Sequence, residues 1–96
     1  MKKKGIFKEI TTQENLGLRV SAGYGMVCKY DDHVLAVDCY WKGGFVAAIY
    51  EFVETPEATG LCECECRLRL CKTSDDVFAD GGHAIAWAIE TVRKCY

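Results

Sequence analysis

The chain has few of the features that mark membrane proteins, secreted proteins, nucleic-acid binders or the common enzyme classes. No apolar run approaches the ~20 residues that a membrane-spanning helix needs, and the charged residues 1–4 are not followed by the apolar stretch of a secretory signal. The formal net charge is −2, whereas general nucleic-acid binders are usually basic. Phosphate-loop, dinucleotide-binding, nucleophile-elbow and H-E-x-x-H motifs are also missing from the sequence. We therefore expect a protein that does not enter a membrane, has no catalytic residues and uses no cofactor.

Cysteine, by contrast, is abundant, with seven residues in a chain of 96. An odd number of cysteines cannot pair completely within one chain. Because no secretory signal is found, we expect a cytoplasmic protein whose thiols are mostly reduced. A reduced cysteine usually behaves as a small apolar residue unless its surroundings activate it. The length and the single proline predict one ordered domain.

Apolar and polar residues alternate through much of residues 18–70, and this period predicts half-buried antiparallel strands. Asp31-Asp32 and Gly43-Gly44 are predicted to form two-residue turns between consecutive strands. The second turn would pair Cys39 with Ala48. Because both turns place apolar residues on the same side of the sheet, we expect that side to be the core.

The C-terminal segment changes to helical spacing, which predicts a helix with Thr73 as its N-cap and Asp76 in its first turn. Gly81-Gly82 leaves two alternatives. One is a continuous helix that is kinked at the glycines, and the other is a short turn followed by a helix from about Gly82.

These patterns predict a single domain over residues 1–96. Residues 1–15 form an N-terminal arm or edge strand, with a short helix as the alternative, residues 16–72 form a β-meander, and residues 73–96 form the helix. The predicted fold class is α+β, an antiparallel β-meander of four to five strands with one C-terminal α-helix packed on one face.

Residues 61–71, LCECECRLRLC, place Cys62, Cys64 and Cys66 in strict alternation. Alternate side chains on a straight strand lie near 7 Å apart, at about 3.3 Å per residue. That separation exceeds the roughly 3.8 Å between thiolates that share a zinc ion, and it disfavours a disulfide. We interpret the three cysteines as core residues beneath the helix, in one row with Leu68. A metal site that uses the same three cysteines is the alternative.

The opposite face of the meander is too apolar for a sheet face that is fully exposed to water, and it predicts a partner or dimer interface. Its members, including an acidic rim, are Val34, Ala36, Asp38, Tyr40, Phe45, Ala47, Ile49, Glu51, Val53, Glu63 and Glu65. The alternative is that the N-terminal segment folds back and covers this face.

Five basic residues are the candidates for nucleic-acid contact. Lys2, Lys3 and Lys4 form an N-terminal cluster, and Arg67 and Arg69 point away from the predicted core. Such a contact would need exposed aromatic side chains beside the cations. We prefer to interpret these residues as solvated surface charges, and we expect no nucleic-acid partner.

The meander followed by a helix at Thr73 to Tyr96 resembles, in topology only, antitoxins of the HicB type and several anti-CRISPR inhibitors. The order of three strands and a helix is also similar to that of double-stranded RNA-binding domains. In those domains the entry to the last helix is rich in lysine, whereas Thr73-Ser74-Asp75-Asp76 is acidic, which counts against RNA binding. The resemblance to the inhibitors implies a small protein that acts by occluding or bridging a partner.

The preferred hypothesis is a small non-enzymatic binding protein that acts through protein–protein contacts of the outer sheet face. Self-association is one form of this contact, and an inhibitor encoded by a phage or mobile element is its most specific version. Two alternatives are a thiol-based metal or redox protein and a small module that binds RNA or single-stranded DNA.

Overall fold

The computed structural model describes residues 7–19, 25–39, 43–60, 62 and 65–95. In chain order its elements are β1 (Ile10–Thr12), α1 (Gln13–Arg19), β2 (Met26–Tyr30), β3 (His33–Cys39), β4 (Phe45–Phe52), α2 (Pro56–Thr59), β5 (Arg67–Thr73) and α3 (Gly81–Cys95). The strands form one antiparallel sheet in the order β1-β5-β4-β3-β2, and α3 packs on one face. The predicted fold class is confirmed. Among the described helices, none has both the length and the apolar character needed to cross a membrane.

The central strands β3 and β4 are buried on both faces. On one face Leu35 and Ile49 pack with Ala88 in the cluster that α3 covers. On the other face Val34 packs with Leu16 in the cluster that the N-terminal segment, residues 7–19, covers. Burial on both sides explains why these strands are apolar at nearly every position rather than at every second one.

The turn at Asp31-Asp32 is confirmed, since Tyr30 pairs with His33 across it. The predicted turn at Gly43-Gly44 is wrong. Cys39 pairs with Phe45 rather than with Ala48, so residues 40–44 connect the two strands. This change of register is three positions, an odd number, and it therefore places each β4 side chain on the opposite face from the one predicted.

The close approach of the segment after β5 explains the glycine at position 44. Phe45 and Phe78 exchange two backbone hydrogen bonds, with N···O distances of 2.8 and 2.7 Å. A Cβ at Gly44 would collide with the side chain of Val77, and the residue has a φ of +87°. Gly44 is thus required by tertiary packing and by its backbone conformation, and not by a two-residue turn.

The predicted partner interface lies largely in the core. Val34, Ala36, Ala47 and Ile49 are fully buried. The N-terminal segment covers Val34 and Ala36, as the alternative interpretation of this face predicted. The helix α3 covers Ala47 and Ile49. The other described members of the set are Asp38, Phe45 and Glu51, which are half-buried, and Val53 and Glu65, which are exposed. Tyr40 and Glu63 lie outside the described residues.

Strand pairing and hydrogen bonds hold the N-terminal segment against the sheet. β1 pairs with β5, which confirms the edge strand. The helix α1 that follows it extends to Arg19, so the strand predicted from residue 18 does not begin there, and the later part of that strand is β2. The buried Tyr50 hydroxyl donates a hydrogen bond to the Lys8 carbonyl at 2.6 Å. The Leu70 amide donates to the Glu9 carbonyl at 2.8 Å.

The helix α3 begins later than predicted. Thr73 belongs to β5, and the cap is Asp80, whose Oδ1 accepts a hydrogen bond from the His83 amide at 2.8 Å. The second alternative, a turn followed by a helix from about Gly82, is therefore confirmed.

The strand predicted over residues 61–71 is shorter than expected, since β5 begins at Arg67. Leu68 packs on the side of the N-terminal segment and not beneath α3.

Ile49→Glu is expected to unfold the protein. A carboxylate at a fully buried position without a partner costs at least about 3 kcal/mol, a large part of the stability of a small domain. Val53→Glu is the matched control, because Val53 belongs to the same predicted face but is 40% exposed. Thermal unfolding followed by circular dichroism should show a large loss of stability for the first variant only. Equal melting temperatures for the two variants would contradict the buried position of Ile49.

The cap at Asp80 predicts an acid-sensitive contribution to stability. Hydrogen bonds from the backbone and then the side chain of His83 lower the pKa of the Asp80 carboxyl below its usual value. The contribution is therefore present above the unfolded-state pKa of about 3.9 and is lost as the pH falls through the folded-state value. Asp80→Ala should lower the melting temperature at neutral pH, and its difference from the unaltered chain should shrink as the pH is lowered below the unfolded-state pKa. A difference that stays constant with pH would argue against the ionised cap.

Candidate functional site

Four polar side chains lie directly opposite one another across the sheet. Tyr30 of β2 pairs with His33 of β3, His33 pairs with Glu51 of β4, and Glu51 pairs with Arg69 of β5. We call these four residues the polar row. The row crosses β3 at its first residue, His33. The helix α3 begins near the other end of this strand, where Gly81 lies close to Val37. Arg69 is exposed and the other three are half-buried, so the row is accessible from solvent.

The centre of the polar row is the contact between Glu51 and Arg69. Arg69 Nε donates a hydrogen bond to Glu51 Oε2 at 2.8 Å, and the Arg69 Nη2 group contacts the same oxygen. The contact raises the pKa of the Arg69 guanidinium. The Glu51 side chain is 35% exposed and that of Arg69 is 59% exposed. The pair therefore holds the guanidinium along the sheet surface while leaving much of it accessible to a ligand or partner.

Cys71 lies beside the polar row, in the cluster that α3 covers. Burial, followed by the charge of Glu51 and a hydrogen bond to it, raises the pKa of the Cys71 thiol to about 11. A thiol with this pKa is protonated near neutral pH, whereas a cysteine nucleophile must be a thiolate. The arrangement at Cys71 therefore favours a structural role for this cysteine.

A second feature is a groove of about 280 Å³ between α3 and the last part of β5. We call it the α3–β5 groove, and its lining residues are Lys72, Trp87, Glu90, Thr91, Lys94 and Cys95. The Trp87 indole packs beside Phe78 with ring centroids 6.3 Å apart, and the Thr91 hydroxyl donates to the Trp87 carbonyl at 2.8 Å. Lys94 Nζ lies 3.6 Å from Glu90 Oε2. The groove thus combines an aromatic ring with two ammonium groups.

The arginines predicted for nucleic-acid contact both have carboxylate partners. Arg67 Nη2 lies 3.1 Å from Glu54 Oε2, and Arg69 contacts Glu51. The structure therefore brings Arg69 into the polar row and places Arg67 in a separate ion pair. Lys2, Lys3 and Lys4 lie outside the described residues.

The cysteines of residues 61–71 do not share one environment. Cys62 is exposed, Cys66 is almost fully buried, and Cys64 lies outside the described residues. In the part of the chain that the structure describes, no group of three or more His, Cys, Asp or Glu residues is placed to hold a metal ion.

The sequence contained a signal for one of these sites and not for the other. Trp87, Thr91 and Lys94 recur at the i, i+4 and i+7 spacing of one helix face, so the helical wall of the groove was predictable. The polar row was not, because His33 meets Glu51 only in the register that the structure adopts. The register predicted at Gly43-Gly44 places them apart.

A comparison with known protein families identifies the family of this chain. A family model described as "Nucleotide modification associated domain 4" matches residues 7–92. The match covers most of the chain, so the chain belongs to this family. It includes the whole polar row and the groove residues from Lys72 to Thr91. No curated protein and no solved structure matches the chain.

The difference in thiol environment should be measurable by alkylation. Iodoacetamide at about pH 8 should modify exposed Cys95 much faster than Cys71, because burial and the negative charge of Glu51 keep the Cys71 thiol protonated. Peptide mapping by mass spectrometry follows both sites in one sample. Glu51→Gln should increase the rate at Cys71 and leave that at Cys95 unchanged. Equal rates at the two cysteines in the unaltered chain would contradict this account.

Proposed function

We propose that this member of the nucleotide modification associated domain 4 family is a small non-enzymatic binding protein that contacts a protein partner within a nucleotide modification system. The family description supports the biological setting. The polar row supports the mode of action. A cytoplasmic location and the role of an inhibitor, both predicted from the sequence, belong to the same proposal.

The surface for the partner differs from the one predicted from the sequence. Both faces of β3 and β4 are filled by segments of the chain itself, so their apolar residues do not meet a partner. The polar row, by contrast, carries hydrogen-bonding side chains on the α3 side of the sheet that are half-buried or exposed. Tyrosine and arginine are both enriched at protein interfaces, because each combines a flat surface with polar groups.

The observation that carries the proposal is the Glu51–Arg69 contact. A long side chain that binds a partner normally loses rotamer freedom, which reduces affinity. Glu51 already orients the Arg69 guanidinium through two contacts, so much of that ordering precedes binding. The remaining N–H groups of Arg69 can donate to a carboxylate or carbonyl group of the partner. A second copy of the chain is one partner that such a surface can accept.

Arg69→Ala and Arg67→Ala provide a matched test. Both arginines lie on β5, both are exposed and each contacts a glutamate, so neither change should unfold the protein. The tagged chain is recovered from its native cells after cross-linking, the partner is identified, and the complex is reconstituted from purified proteins. Arg69→Ala should weaken the complex at least about tenfold, whereas Arg67→Ala should not. A chain that is monomeric and recovers no protein, or equal affinities for both variants, would contradict the proposal.

A further inference from the structure

We propose that the α3–β5 groove binds a mononucleotide, with the base on Trp87 and the phosphate between Lys72 and Lys94. The groove shares no residue with the polar row, and it is carried by different observations from the partner proposal. Its three features that point to this ligand are the aromatic wall, the pair of cations and the volume.

The aromatic wall is the indole of Trp87. Phe78 packs beside this ring, and other residues of the α3 cluster also contact it, so the indole is held in place while part of it faces the groove. Nucleobases stack on such rings irrespective of sequence, since every base presents a π-face. A fixed ring that borders a hollow is therefore suited to a flat, partly apolar ligand.

The cations come from two different elements. Lys72 belongs to β5 and Lys94 to the last turn of α3, and both residues line the groove. Within the described part of the chain Lys72 forms no ion pair, in contrast to Arg67 and Arg69. Lys94 has only a loose contact with Glu90 at 3.6 Å, which a phosphate can replace. Lys94 also offsets the partial negative charge at the C-terminal end of α3.

The other polar groups suit the sugar of a nucleotide. The Thr91 hydroxyl uses its hydrogen in a bond to the Trp87 carbonyl, so its oxygen can accept a hydrogen bond from a ligand. The Glu90 carboxylate can accept from a sugar hydroxyl once Lys94 turns toward phosphate. The lining therefore offers an aromatic surface, acceptors and cations within one hollow.

The volume limits the size of the ligand. At about 280 Å³ the groove is slightly smaller than the usual range for small-molecule sites, which is roughly 300–1,000 Å³. This space suits one base with its sugar and phosphate better than a dinucleotide cofactor. The net charge of the whole chain is −2, which also disfavours a long polyanion.

Isothermal titration calorimetry of the unaltered chain with each deoxynucleoside monophosphate tests the proposal. We expect a dissociation constant below about 1 mM for at least one of them, which weakens as salt is added. Lys72→Gln and Lys94→Gln should each weaken binding about tenfold, as expected for the loss of a charge-assisted hydrogen bond. Lys8→Gln is the matched control, because Lys8 is exposed outside the groove and should leave binding unchanged.

The role of Trp87 needs two variants, since the ring also contributes to the core. Trp87→Leu should abolish binding, and Trp87→Phe, which keeps an aromatic surface, should retain part of it. Circular dichroism of both variants reports whether the fold survives. If Trp87→Leu unfolds, the unaltered chain provides the test. A change in the chemical shift of the Trp87 indole N–H on addition of nucleotide would then support contact between the base and Trp87.

Several outcomes would overturn the proposal. These are the absence of heat and of any indole shift at millimolar nucleotide, equal loss of binding in Lys8→Gln, and equal affinity for inorganic phosphate alone. Much tighter binding of a short single-stranded oligonucleotide would assign the groove to nucleic acid instead. The groove variants leave Arg69 unchanged, and the partner proposal is tested separately by the affinity of Arg69→Ala for the partner. Failure of the nucleotide proposal is therefore distinguishable from failure of the partner proposal.

Discussion

The burial of both faces of β3 and β4 is the constraint on which the rest of the structure depends. An apolar strand of this kind needs a cover on each side. On one side α3 provides the cover, and alanines at positions 84 and 88 allow it to approach the sheet closely. On the other side the cover is the N-terminal segment, through Phe7 and Leu16, with the Tyr50 hydroxyl fastening it to the sheet. Neither cover can be removed without exposing a continuous apolar surface.

The segment between β5 and α3 connects the last strand of the sheet to the helix that covers one of its faces. The chain must therefore leave the sheet here and return across that face. Buried Ser74 satisfies backbone groups on this path, because its Oγ accepts from the Ala47 amide at 3.2 Å and donates to the Asp76 carbonyl at 2.9 Å. Phe78 then pairs with Phe45, and Asp80 starts the helix. These contacts set the position of α3, which in turn forms one wall of the groove. The polar row depends instead on the register of four strands.

Much of the fold could be predicted from local patterns, and less of the candidate site. Alternation identified the strands, Asp31-Asp32 identified one turn, and helical spacing identified α3. Gly44 misled the prediction, because a glycine required for the approach of Val77 has the same sequence signature as a turn glycine. The resulting error in register reversed the faces of β4 and turned core residues into a predicted interface. Of the arginines singled out for binding, only Arg69 lies in the row.

The sequence by itself determined the elements and their chemistry, because period, turn residues and capping residues act over a few neighbouring positions. It predicted an antiparallel sheet of four to five strands with a C-terminal helix, and the structure has five strands and that helix. Only the tertiary structure decided which residues meet across the sheet and which apolar face is covered by which segment. Those contacts join positions far apart in the chain, such as Glu51 with Arg69 and Tyr50 with Lys8, and a shift of one residue in register would break them. Local patterns carry no information at that distance, so the position of the polar row was a consequence of packing.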